Sequence, residues 1–217
     1  MQIFHRSSNA LARISILALV FLVAFGFWVL AAINQSPFAT RQDVFTEQPV
    51  PFSHQHHVTG LGIDCRYCHT SVETSSFAGI PPISTCMNCH KQIWTNAQLL
   101  EPIRNAFRTG VPIQWIRVNQ LPDYVQFNHS IHINKGIGCV SCHGRVDLMP
   151  LTYQAQPLTM GWCLSCHKHP ENFIRPKDRV FDLAWKPGPK EPQSVLGPKL
   201  VKLYNVKSKT NCSTCHY

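Results

Sequence analysis

FSHQHHVTGLGIDCRYCH, Phe52–His69, is the stretch from which the rest of the chain can be read. Its last five residues recur as CMNCH at Cys86–His90, CVSCH at Cys139–His143, CLSCH at Cys163–His167 and CSTCH at Cys212–His216, and together the copies use all 10 cysteines. Two thiols one short turn apart, followed at once by histidine, form the attachment arrangement of a c-type haem. The thiols add to the porphyrin vinyl groups and the histidine reaches the iron. The expected covalent sites are Cys65, Cys68, Cys86, Cys89, Cys139, Cys142, Cys163, Cys166, Cys212 and Cys215, carrying five haem c groups, with His69, His90, His143, His167 and His216 as proximal ligands.

Structural zinc is the competing reading of paired cysteines. Five pairs do not divide into four-thiolate sites, and zinc gives no reason for a histidine after every second cysteine. A disulfide framework would not need that histidine either.

The front half of the opening stretch, FSHQHH, has a counterpart in FNHSIH at Phe127–His132. From Phe52 to Phe127 is 75 positions, from Cys65 to Cys139 is 74 and from Cys86 to Cys163 is 77, which marks an internal duplication. Three-residue spacing places His54 with His57, and His129 with His132, on one side of a helical turn. These four are the expected distal ligands, making four haems bis-histidine. His56 is left as a spare, and the haem of His216 has no histidine from either pair.

Ahead of the haem motifs, Ile14 to Ile33 is an uncharged run of twenty, long enough to span a bilayer as a helix. Arg6 and Arg13 precede it, whereas Arg41 is offset by Asp43 and Glu47, so the charge bias puts the amino terminus in the cytoplasm and the motifs on the periplasmic face. The run exceeds a usual signal-peptide core, so a retained anchor is expected. The expected organisation is a cytoplasmic stub 1–13, a transmembrane anchor 14–33, an extended periplasmic stalk 34–50 and a haem domain 51–217 with units 51–110 and 120–217.

Within that domain, Leu99, Leu100, Ile103 and Phe107 recur at helical spacing up to Thr109–Gly110. Ile113 to Val118 reads as a short strand, Trp94 and Trp115 as wedges against porphyrin faces, and 168–211 as a long loop that is functional or wrapped over a partner. The formal charge is +9. Five bis-ligated ferric haems, each about −1 with its propionates ionised, bring this to about +4, so much of the basic excess is propionate neutralisation rather than a nucleic-acid surface. Roughly 37 residues per haem are too few to enclose each group separately, so the haems form the core.

FSHQHH before CRYCH resembles the trihaem cytochromes c7 and tetrahaem cytochromes c3, in which an HxxH pair serves two haems. CRYCHTSVETSSFAGIPP, CMNCHKQIW, FNHSIHINKGIGCVSCHGRVDLMP and LTMGWCLSCHKHPE resemble the membrane-anchored pentahaem cytochrome c subunit of bacterial alternative complex III, a quinol oxidoreductase. The resemblance implies a mainly α fold with much irregular coil, built of duplicated c7/c3-like units behind one transmembrane helix. It also implies an electron-transfer subunit without substrate chemistry of its own. Implied partners are an iron–sulfur subunit related to molybdopterin oxidoreductases, polytopic quinol-binding membrane subunits and a monohaem cytochrome c. A multihaem reductase or a membrane-anchored quinol dehydrogenase is the alternative. Similarity to the c7 arrangement further implies crossed ligation: His57 with His69, His54 with His90, His132 with His143 and His129 with His167. It also points to Met160, three residues before Cys163, as distal ligand for the haem of His216, with Met149 and His169 as rivals.

Overall fold

A computed structural model describes residues 4–217; Met1–Ile3, the start of the expected stub, lie outside the described residues. The chain opens with α1 (Ser7–Gln35), whose most apolar window has a mean hydropathy of 2.8 and none of whose residues is buried. By length and composition this helix can cross a membrane. Ser36 ends it, and Pro37, well placed at a helical first turn, starts the short α2 (Pro37–Thr40).

The stretch after α2 is not the free stalk expected from its prolines and polar residues. Asp43 N–H donates to Gln154 O at 2.8 Å, Gln42 Nε2 to Ala155 O at 3.2 Å and Gln154 Nε2 to Thr40 O at 2.9 Å. Phe45 stands edge-on against Tyr153, and Val50 is buried in the core. The connection is strapped to the haem domain by partners more than a hundred residues away in sequence.

The domain is a succession of short helical pieces: α3 (Cys65–Cys68), α4 (Ile83–His90), α5 (Glu101–Thr109), α6 (His129–Asn134), α7 (Cys139–His143), α8 (Met160–Lys168), α9 (Gln193–Leu203) and α10 (Cys212–Cys215). Among the described residues there is no strand longer than an isolated bridge. The expected strand at 113–118 is irregular. No second strand reaches it, and the Gln48 side-chain amide makes both bonds to Ile116 that a strand partner would make.

Helix α5 is found where its spacing predicts, capped by Gly110 at φ 73°. Leu100 and Ile103 are buried, whereas Leu99 and Phe107 stay exposed. Nor is 168–211 a loose loop: α9 packs on the turn Pro170–Asn172, where Gln193 Nε2 donates to Glu171 O and Ile174 O.

Apolar burial is sparse. One cluster holds Val50, Met87, Leu100 and Ile103, with Trp115 packed against it. The other joins Val72 of the first unit, Ile133 of the second and Val180 of the extension. The chain exposes 15120 Å², against about 10,000 Å² for a compact protein of its mass. Beyond the bare α1, the polypeptide does not supply a core sufficient for its size.

The two units brace one another reciprocally. In one direction, Gln55 N–H donates to Met149 O, Thr59 Oγ1 to Asp147 O, and His54 Nδ1 meets Thr152 Oγ1 at 3.0 Å. In the other, His129 N–H donates to Ser76 O, Ser130 N–H to Ser75 O and Asn134 Nδ2 to Glu73 O. Each HxxH turn thus rests on the loop that follows the first CxxCH of the other copy, so neither unit's histidines are fixed by that unit alone.

Candidate haem-binding site

Every CxxC pair lies in a helical turn, which sets its two cysteines three apart on one face. Two of these turns have a side-chain cap where the chain enters, Asp64 Oδ1 accepting from Arg66 N–H in α3 and Thr159 Oγ1 from Trp162 N–H in α8, and the second HxxH turn, α6, has one in Asn128 Oδ1, which accepts from Ile131 N–H.

The histidines are arranged for metal. His57 Nδ1–H donates to Ser53 O at 2.8 Å and His132 Nδ1–H to Asn128 O at 2.7 Å, in each case four residues back along the turn. His69 donates likewise to Gly79 O, His90 to Ile93 O and His167 to Lys209 O. A carbonyl can only accept, so in these rings the proton sits on Nδ1 and the Nε2 lone pair is free. Burial pushes His54 and His143 down to about 4, and lowers His57, His129 and His132, keeping all five neutral as ligands must be.

Ring pairs carry the most information. His57 and His90 have centroids 6.3 Å apart, His129 and His143 6.2 Å, and His132 and His167 6.1 Å. Two imidazoles on opposite sides of one iron, each bound through Nε2 at about 2 Å, have centroids about 6 Å apart. His54, in turn, feels His69 more than any other titratable group. The residues present therefore fit a bis-histidine haem. Among the described residues no three of His, Cys, Asp and Glu converge on one point.

These pairs reverse the expected crossing. In the second unit the first histidine of HxxH faces the histidine of the first CxxCH and the second that of the second, and in the first unit His57 faces His90. Phe52 lies flat on His57 at 4.4 Å and edge-on to His54, and Phe127 repeats this on His132 at 4.6 Å and His129. Sequence reading registered both phenylalanines only as part of a motif, without assigning them this clamp.

The two turns differ in one respect. Gln55–Gly60 is a π turn, whereas α6 is α-helical. The first copy has one more residue between its histidines and its cysteines, and the wider turn absorbs it.

The five cysteine pairs form one line of neighbours. Cys68 lies within electrostatic reach of Cys86, Cys139 of Cys65, Cys142 of Cys163 and Cys166, and Cys163 of Cys215. The fifth motif is fastened to the second unit through Gln126, whose N–H donates to Cys215 O and whose Nε2 donates to Ser213 O. Tyr124 stacks on His216 with 5.7 Å between centroids, a contact with no sequence signature. Met160 opens α8 and is 62% exposed; Met149 is 3% exposed; His169 is turned to Glu171 at 3.3 Å. Trp94, half exposed, stacks on His56 at 5.5 Å and stands tilted against His90 at 6.4 Å.

Two family models match, one on each half of the chain: class III cytochrome c over residues 31–109, and cytochrome c7 and related cytochromes c over residues 125–217. A curated relative, the multiheme cytochrome c subunit of menaquinone reductase from Nitratidesulfovibrio vulgaris, is 30% identical over 177 residues, covering 72% of this chain and 80% of the relative. Covalently bound haem c is the cofactor of these families. The chain belongs to the family of multihaem c-type cytochromes represented by that subunit, and its duplicated, mainly helical units are of the c7 and class III kind.

Proposed function

We propose that the chain is the membrane-anchored pentahaem electron-transfer subunit of a quinone-linked oxidoreductase of the alternative complex III type. The observation that carries the reading is the set of facing imidazoles at 6.1–6.3 Å beside CxxC turns. Haem c held at these sites supplies one-electron ferric/ferrous chemistry. The polypeptide's part is to fix tautomers by carbonyl acceptors, hold rings with Phe52 and Phe127, and set neighbouring sites close together. In this reading the sites run from Cys86/Cys89 through Cys65/Cys68, Cys139/Cys142 and Cys163/Cys166 to Cys212/Cys215.

His54, His57, His129 and His132 are the distal ligands, paired with His69, His90, His143 and His167 respectively. Met160 completes the site of His216. Its open thioether at the start of the helix that carries Cys163 and Cys166 supports this, whereas Met149 is packed away and His169 is engaged with Glu171. The subunit has no substrate chemistry of its own. Its partners are an iron–sulfur subunit of the molybdopterin-oxidoreductase kind, polytopic quinol-binding subunits and a monohaem cytochrome c. Helix α1 anchors it with the amino terminus in the cytoplasm, residues 34–50 connecting to a periplasmic haem domain of units 51–110 and 120–217.

A second reading, that electrons flow toward quinone, is favoured by the name of the curated relative. Purification of the intact complex from membranes decides between them. On the first reading menaquinol reduces the haems and a soluble monohaem cytochrome c reoxidises them. Haems that only an upstream cytochrome reduces, and that menaquinone reoxidises, establish the second. A denatured chain carrying fewer than five haem masses, or a subunit that purifies alone from membranes, overturns the proposal.

A further inference from the structure

Arg175 is buried, 7% exposed, yet no carboxylate pairs with it. Its Nη1 donates to the carbonyls of Arg179 and Asp182 at 3.4 and 2.9 Å, and Nε, sealed from solvent, has no acceptor. One face of the guanidinium lies over Trp185 at 5.2 Å. It also fills the space a side chain on Gly138 would take, since a Cβ there collides with Nε and Cζ. Gly138 immediately precedes Cys139, and Cys139 N–H is bonded to Val180 O in the same turn.

The duplicate position carries the opposite sign. GID precedes Cys65 where GIG precedes Cys139, so Asp64 stands where the second copy has Gly138 and, packed on it, Arg175. Asp64 is half exposed and paired with Arg66 at 2.9 Å, so its charge is screened. Arg175 is neither exposed nor paired with a carboxylate. A buried charge without a partner costs several kcal/mol, and two carbonyl bonds do not require one. Guanidinium does not deprotonate, so the charge is permanent. In a low dielectric it favours the less positive state of a redox group beside it.

We propose that Arg175 sets a potential: it makes the haem held by Cys139, Cys142 and His143 easier to reduce than its duplicate at Cys65, Cys68 and His69. The inference rests on the ligation proposed above. It makes Arg175 a tuning residue that touches neither iron nor partner, and it divides two sites that the duplication would leave equal.

The test is an EPR-monitored redox titration of the full-length haem-loaded chain, following the rhombic low-spin signal expected of the near-parallel His129/His143 pair. Arg175→Met is expected to make that haem at least tenfold harder to reduce, a fall of about 59 mV, with the other midpoints in place. Arg175→Lys retains the charge and the parental midpoint. Arg175→Gln, which keeps a side-chain donor for the carbonyl that Arg175 uses but not the charge, gives the same fall and stays informative if Arg175→Met fails to mature. A parental midpoint in Arg175→Gln or Arg175→Met, or equal losses in Arg175→Met and Arg175→Lys, overturns the proposal. Absence of the rhombic signal from the parent indicts the ligation instead.

Discussion

His129 and His143 face each other with ring planes only 12° apart, whereas the planes of His57 and His90 differ by 67° and those of His132 and His167 by 62°. Imidazole donates π density into iron d orbitals perpendicular to its ring. Near-parallel rings therefore split the two orbitals, and near-perpendicular rings leave them almost degenerate. Among these three sites the oxidised chain is expected to give one rhombic low-spin EPR signal from the first pair and highly anisotropic signals from the other two, beside the signals of the haems of His69 and His216. Only rhombic signals from all three sites would contradict these ring orientations.

The pairing itself is separable by mutation. His57→Ala is expected to remove an anisotropic signal and turn the haem of His90 high spin, leaving the rhombic signal intact, whereas His129→Ala removes the rhombic one. If His57→Ala instead changes only the haem of His69, the crossing implied by similarity to c7 holds after all.

For the fifth site, Met160→Leu is expected to abolish a thioether-to-ferric charge-transfer band, and Met160→His to lower one midpoint, because sulfur favours ferrous iron over a second imidazole. Met149→Leu leaves both untouched. A band that survives Met160→Leu and vanishes with Met149→Leu would transfer the assignment.

Phe52→Leu and Phe127→Leu remove a flat ring contact while retaining apolar volume. Each is expected to cost about 1 kcal/mol, read as a loss of about 2–4 °C in Tm at unchanged haem content. Should either variant lose a haem outright, the clamp governs maturation rather than stability.

Gln154 is 4% exposed, donates to Thr40 O and accepts from Gln120 N–H. Gln154→Ala is expected to destabilise by about 1–3 kcal/mol and to open 41–48 to limited proteolysis. Equal cleavage of parent and variant would mean that the strap is held elsewhere.

What the sequence disclosed follows the range of the interactions involved. CxxCH and HxxH are written within one turn each, so the cysteines, the candidate ligands and the duplication were legible. Which ring faces which was not, because His54 leans on Thr152 and His129 on Ser76, partners in the opposite copy. The apolar residues of 113–118 look like a strand, but a strand needs a neighbour and only Gln48 is there. Polar residues and prolines made 34–50 look free because Tyr153 and Gln154, which hold it, lie far along the chain. Gly138 looked like any turn glycine until Arg175 was found lying on it.

The strap between Gln42 and Gln154 also fixes an altitude. Only seven residues separate Gln35, the end of α1, from Gln42, and even fully extended these span about 25 Å. A domain on a slack tether samples a hemisphere and meets partners by diffusion. Here the point of attachment is confined to a thin layer above the bilayer, and rotation about it is restrained by the Phe45–Tyr153 contact. With α1 in the bilayer as proposed, a partner meets this domain at a fixed height rather than on a swinging tether, whether it is assembled in the same membrane or docks from solution.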